Sequence, residues 1–185
     1  ASDVYKRQVV GTGSLRRRAQ LLYARPELKM ADLRGNVDTR LKKLEAGDYQ
    51  AIVLAEAGLV RLGLDAHITA RLPMSLVIPA VGQGALGIET RADDTATRQP
   101  LALLDHAATH AAVLAERAML ATLRGGCLAP VGAWARMTAD GLLHLTGVVL
   151  SPDGKQRTES TYSAEPAEAE DLGRGVAEAL IADGA

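Results

Sequence analysis

Short apolar runs alternate with amphipathic stretches along the first ninety or so residues, a pattern that predicts repeated strand–helix units. Val9–Thr12 reads as a strand, followed by a helix over Ser14–Ala24 with Leu15, Ala19 and Leu22 on its apolar face. A second strand over Met30–Leu33 leads into a helix over Val37–Ala46. The uninterrupted apolar run Ala51–Ala55 is a third strand, with a short helical stretch to about Leu62. Connections this short fit right-handed crossovers and a parallel sheet. Pro73 and Pro79 then bracket an extended segment, Ser75–Ile78, that runs into the glycine-rich stretch Gly82–Glu89. Helices are predicted over Asp94–His106 and from about Thr109 to Leu123, the second stopped by Gly125 and Gly126.

After Cys127 the pattern changes. Ala129–Met137, Leu142–Leu150 and Gln156–Tyr162 read as strands, separated by turn signals at Asp140-Gly141 and Pro152-Asp153-Gly154. An amphipathic helix over Pro166–Ala182 ends the chain. The predicted class is α/β: a parallel-sheet, periplasmic-binding-protein-like domain over residues 9–78, then a small α+β domain over 105–185 with a three-stranded antiparallel sheet. Residues 79–104 form the connection, with the domain boundary near Ala92–Leu104.

Composition narrows the possibilities. The chain is 48% hydrophobic and has no Phe, so its core has to be aliphatic. Lys and Arg number 21 against 22 acids, a net charge of −1 that argues against a general nucleic-acid binder. One cysteine excludes an internal disulfide and fits a reducing compartment. No apolar run approaches the roughly eighteen residues of a membrane span, and ASDVYKRQ lacks the apolar core of a signal peptide. The expectation is a cytoplasmic protein without membrane partners, in which residues 1–8 are a non-native remnant.

Charge is clustered where it matters. Gly11-Thr12-Gly13-Ser14-Leu15-Arg16-Arg17-Arg18 places a tight turn, a helix N-terminus and three arginines together. Free backbone N–H groups and the positive dipole end already attract anions there, and three cations work against the dipole unless an anion offsets them. Arg34-Gly35-Asn36 repeats the arrangement at the second turn, with Asn36 as helix cap and Arg40 one turn in. Ligands of open α/β sheets bind beyond the carboxyl ends of the strands. Guanidinium pairs carboxylates bidentately, so two such turns in register point to a ligand with several carboxylates, and Arg61 can add to the wall. A solvated basic surface is the alternative. Neither a Walker loop nor GxGxxG is present.

Spacing alone does not assign the other candidates. Cys127 follows a helix C-terminus, where the dipole disfavours a thiolate, although Arg124 can offset this. His67, His106, His110 and His144 lack metal-ligand spacing, so no metal is expected. Trp134 is expected to pack within the α+β domain.

Six segments taken together resemble the porphobilinogen deaminases: VVGTGSLRR at Val9–Arg17, LRGNVDTRL at Leu33–Leu41, AGLVRLGL at Ala57–Leu64, PAVGQGALGIE at Pro79–Glu89, AERAML at Ala115–Leu120 and LRGGCLAPVG at Leu123–Gly132. The resemblance implies a dipyrromethane cofactor joined by a thioether to Cys127. Thr12, Ser14, Arg16, Arg17, Arg34 and Arg40 would hold the acidic side chains of the cofactor and growing chain, with Arg61 as a less certain substrate contact. Arg18 falls outside the family pattern. The implied activity is a transferase of porphyrin and haem biosynthesis. It condenses four porphobilinogen molecules into hydroxymethylbilane with loss of ammonia, in a protein monomeric at full length.

The family's first domain has no counterpart here, nor has the aspartate that contacts the pyrrole nitrogens, so no catalytic residue is expected within this chain. The segment matching Ala80–Glu89 would cross into that domain as a strand. The 185-residue piece alone is therefore expected to be inactive and weakly ordered around Ala80–Arg91. A rival reading is one half of a periplasmic-binding-protein-like fold that captures a small polyanion without chemistry.

Overall fold

The computed structural model describes residues 8–124 and 130–185. They form two compact units, one of residues 8–78, 130 and 149–158, the other of 79–124, 131–148 and 159–185. Residues 1–7 of the supposed remnant lie outside the described residues.

In the first unit, β1 (Val9–Gly11), β2 (Lys29–Ala31) and β3 (Ala51–Ile52) make a parallel sheet in the order β2-β1-β3. Val10 is paired with Met30 on one side and with Ala51 on the other. The crossovers run through α1 (Leu15–Ala24) and α2 (Val37–Glu45), and α3 (Glu56–Arg61) follows β3. The parallel sheet expected from the alternation is present, but its strands are shorter than the apolar runs. The central strand β1 ends at Gly11, and the Thr12 N–H that follows it donates to Ala31 O at 3.1 Å. Leu33 leaves the sheet yet is completely buried, and Val53 adds one last bond, its N–H donating to Gly11 O at 2.9 Å.

Two local expectations are corrected. The helix α1 buries Arg16, Ala19, Gln20 and Leu21, whereas Leu15 is 39% exposed. Polar residues occupy this face because the backbone of Ile78 lies against it and supplies their hydrogen-bond partners. Ser75–Ile78 is not extended throughout: Pro73 O accepts from the N–H groups of Leu76 and Val77, at 2.9 and 3.1 Å. That turn brings Ile78 into the core, 3% exposed.

The strands β4 (Val131–Met137), β5 (Leu143–Leu150) and β6 (Arg157–Ala164) form the second sheet, in the order β4-β5-β6. Both connections are hairpins, closed by Thr138 N–H to Leu142 O at 2.9 Å and Ser151 N–H to Gln156 O at 3.0 Å, so the sheet is antiparallel as expected. In the second unit α4 (Thr95–Ala102) precedes α5 (Ala107–Thr122) and α6 (Ala169–Ala182), which pack together. Its core is aliphatic: Met119, Leu143, Leu145, Val148, Val176 and Leu180 are completely buried. Among the described residues, no helix is long and apolar enough to cross a membrane.

Candidate functional site: a cationic cleft at two strand–helix turns

The first turn is shaped by its own side chains. Thr12 Oγ1 accepts from the Ser14 N–H at 3.3 Å, and Ser14 Oγ caps α1 by accepting from the Arg17 N–H at 3.4 Å. A Cβ on Gly13 would stand 2.7 Å from the carbonyl oxygen of Leu33, so only glycine lets the two turns approach this closely. In the second turn Gly35 adopts φ 115°, a left-handed conformation natural to glycine, and Asn36 Oδ1 caps α2 through the Thr39 N–H at 2.9 Å. Both helices thus begin beyond the carboxyl ends of neighbouring strands, with their positive dipole ends on one edge of the sheet.

That edge carries a cleft of about 610 Å³. Arg17, Arg40 and Arg61 line it, together with Asn36 and Asp38, and Leu54, Ala55 and Leu62 give it an apolar wall. Arg17 is half-buried and donates from Nη1 to Val53 O at 3.2 Å. Arg40 Nε donates to Gly35 O at 2.7 Å. Burial lowers the Arg17 pKa, and the charge of Arg40 lowers it further. Of the residues lining the cleft only Asp38 is acidic, against three arginines, so the lining carries an excess positive charge that a polyanion would neutralise.

Arg16 and Arg34 are placed differently. Arg16 is buried, its Nη1 donating to the carbonyl of Ile78. Burial, with the charge of Arg17 adding to it, pulls Arg16 down to about 10, still far above neutral pH. Arg34 is exposed and paired with Asp32 at 2.8 Å, an interaction that raises the arginine and lowers the carboxyl. The structure therefore gathers Arg17, Arg40 and Arg61 around the cleft, sets Arg16 behind the first turn, and turns Arg34 to a neighbouring acid. Arg18 is exposed.

Sequence reasoning missed the backbone partners that fix these cations, the carbonyls of Val53, Gly35 and Ile78. It also passed over Gln20, whose polar side chain on a helix gave no local signal. Cys127 and the glycines before it lie outside the described residues. The histidines beside α5 have local partners: His106 Nδ1 accepts from the Thr109 N–H at 3.3 Å, and His110 sits 3.1 Å from Asp105. Trp134, expected to pack, is half-buried with the Arg136 guanidinium 4.1 Å above its ring.

Residues 1–99 match the family model for the dipyrromethane cofactor binding domain of porphobilinogen deaminase, and residues 110–182 match the model for its C-terminal domain. The cleft lies wholly within the first of these matches. Its guanidinium lining fits a group bearing several carboxylates, which is the chemistry of a dipyrromethane with acidic side chains. The chain belongs to the porphobilinogen deaminase family, and its first matched domain is the one that binds the dipyrromethane cofactor.

Proposed function

We propose that this chain holds the acidic side chains of a dipyrromethane and of the pyrrole units added to it, in the condensation of four porphobilinogen molecules into hydroxymethylbilane. The observation that carries this reading is the convergence of Arg17, Arg40 and Arg61 on one cleft. Arg17 and Arg40 are hydrogen-bonded to carbonyls of the scaffold, so little side-chain entropy remains to be lost when a carboxylate arrives. Their mutual repulsion and the burial of Arg17 are relieved by the same event. Thr12 and Ser14 shape the turn, each hydroxyl oxygen accepting a backbone N–H there. Arg16 backs the cluster electrostatically, and Arg34 joins it by exchanging Asp32 for a ligand carboxylate.

When bound, the dipyrromethane supplies the free pyrrole carbon at which each new unit is joined with loss of ammonia. The protein's part is position and charge. Cys127 is the attachment point in this reading, through a thioether, on the strength of the Gly-Gly-Cys motif. No carboxylate of this chain matches the family's pyrrole-contacting aspartate, so the 185-residue chain by itself is read as inactive.

Intact-mass analysis after incubation with preformed hydroxymethylbilane tests the assignment. A mass increase of one whole hydroxymethylbilane (four pyrrole units) less one water, as the thiol displaces the hydroxyl, is expected, and is lost in Cys127→Ser. An unmodified chain that still binds porphobilinogen would favour a binding module without chemistry.

A further inference from the structure

Gln20 is completely buried on α1 and has no place in the cleft, yet it holds the backbone of Ile78 at both its N–H and its carbonyl. Its Oε1 accepts from the Ile78 N–H at 2.7 Å. Its Nε2 donates to the Ile78 carbonyl at 3.0 Å and to the Arg16 carbonyl at 3.4 Å. The Ile78 carbonyl is also the acceptor for Arg16 Nη1. One carbonyl oxygen thus carries both the amide and the guanidinium, and the amide fixes the position of that oxygen.

A purely structural account has to explain why a helix face otherwise closed by Ala19 and Leu21 buries an amide and a cation side by side. Burying an arginine is unfavourable unless its N–H groups are satisfied, and a backbone carbonyl satisfies them only where it is held still. Gln20 sits one helical turn after Arg16, the spacing that puts both side chains on one face of α1.

We infer that Gln20 is a positioning residue for anion binding: by clamping the Ile78 backbone it fixes the carbonyl that orients the Arg16 guanidinium at the back of the cationic cluster. This rests on the reading of the cluster as the holder of pyrrole carboxylates, and deepens it. Gln20 touches no ligand, so its effect has to pass through Arg16.

A double-mutant cycle separates that effect from simple destabilisation, with the dissociation constant for porphobilinogen measured by titration calorimetry on the full 185-residue chain. Arg16→Met and Gln20→Met should each weaken binding about tenfold, the scale of one charge-assisted hydrogen bond. The double variant should bind no more weakly than Arg16→Met alone. A Gln20→Met protein that binds as tightly as the unaltered chain, or that weakens binding by the same factor when Arg16 is already Met, overturns the inference.

Should Gln20→Met fail to fold, side-chain NMR of the unaltered protein gives the answer. The Arg16 guanidinium signals, assigned through Arg16→Lys, should show slow rotation about the guanidinium bonds and shift on saturation with porphobilinogen. Freely rotating or unshifted signals overturn the inference. The underlying reading fails separately: if Arg17→Met and Arg40→Met leave the affinity unchanged, the cleft is not the holder of carboxylates, whatever Gln20 does.

Discussion

The guanidinium of Arg17 lies within electrostatic reach of that of Arg40, although the two belong to different strand–helix turns. Like charges brought together on a folded surface cost stability unless something offsets them, and of the residues lining the cleft Asp38 alone is acidic. The pair is better explained by a visiting anion than by the needs of the fold.

Arg40→Met should therefore separate binding from stability. Its bond to the Gly35 carbonyl is exposed, so its loss should change unfolding free energy by no more than about 0.5 kcal/mol, while porphobilinogen affinity falls about tenfold. Urea unfolding and calorimetry on the same preparation check both halves.

Asp32 competes with the ligand for Arg34. Asp32→Asn removes that competitor and one negative charge near the turn, so porphobilinogen should bind several-fold more tightly at low salt. At about 0.5 M salt the gain should shrink, because an exposed charge is screened over a few ångströms. A weaker complex would show instead that Asp32 orients Arg34 for binding.

The strand–helix alternation was legible because each turn carries its own instructions: Ser14 and Asn36 cap, and Gly13 and Gly35 permit the bend. Register then places Arg17 and Arg40 at one edge, which is why the polycarboxylate reading could be made from residues alone. The buried face of α1 was not legible. Its pattern favours Leu15 and Leu22, but the decision belongs to Ile78, 58 residues beyond Gln20, whose backbone offers polar partners. The pairing of Arg34 with Asp32 was equally hidden, since position along a helix or turn does not say which neighbouring acid a long side chain will meet.

Glu116 in the second unit gives a pH prediction. Its carboxylate is buried and accepts from the N–H groups of Gly82 at 2.6 Å and Ala135 at 2.8 Å. Burial raises its pKa above the ordinary 4.5, more than those two bonds lower it. The folded state thus takes up protons here between the two pKa values, and this side chain's contribution to stability falls as pH climbs from about 4.5 through the folded value. Glu116→Gln should cost about 1–2 kcal/mol, since an amide cannot accept both N–H groups. The cost should be largest at acid pH and shrink toward neutrality, and a pH-independent difference in urea unfolding contradicts this.

Packing of α5 on α6 depends on Gly173. A Cβ there would collide with the carbonyl oxygen of Ala115 and approach the Ala118 Cβ to 2.8 Å, and neither group is a flexible side-chain end. Gly173→Ala should destabilise the protein by about 2 kcal/mol, read as a lower urea midpoint at unchanged slope.

The salt dependence of porphobilinogen binding tests the cationic cleft most directly. The unaltered chain should bind porphobilinogen with an affinity that falls steadily as salt is raised. In the double variant Arg17→Met/Arg40→Met both the affinity and its salt dependence should be largely gone. Equal binding by the two proteins at every salt concentration would mean that the carboxylates are held elsewhere.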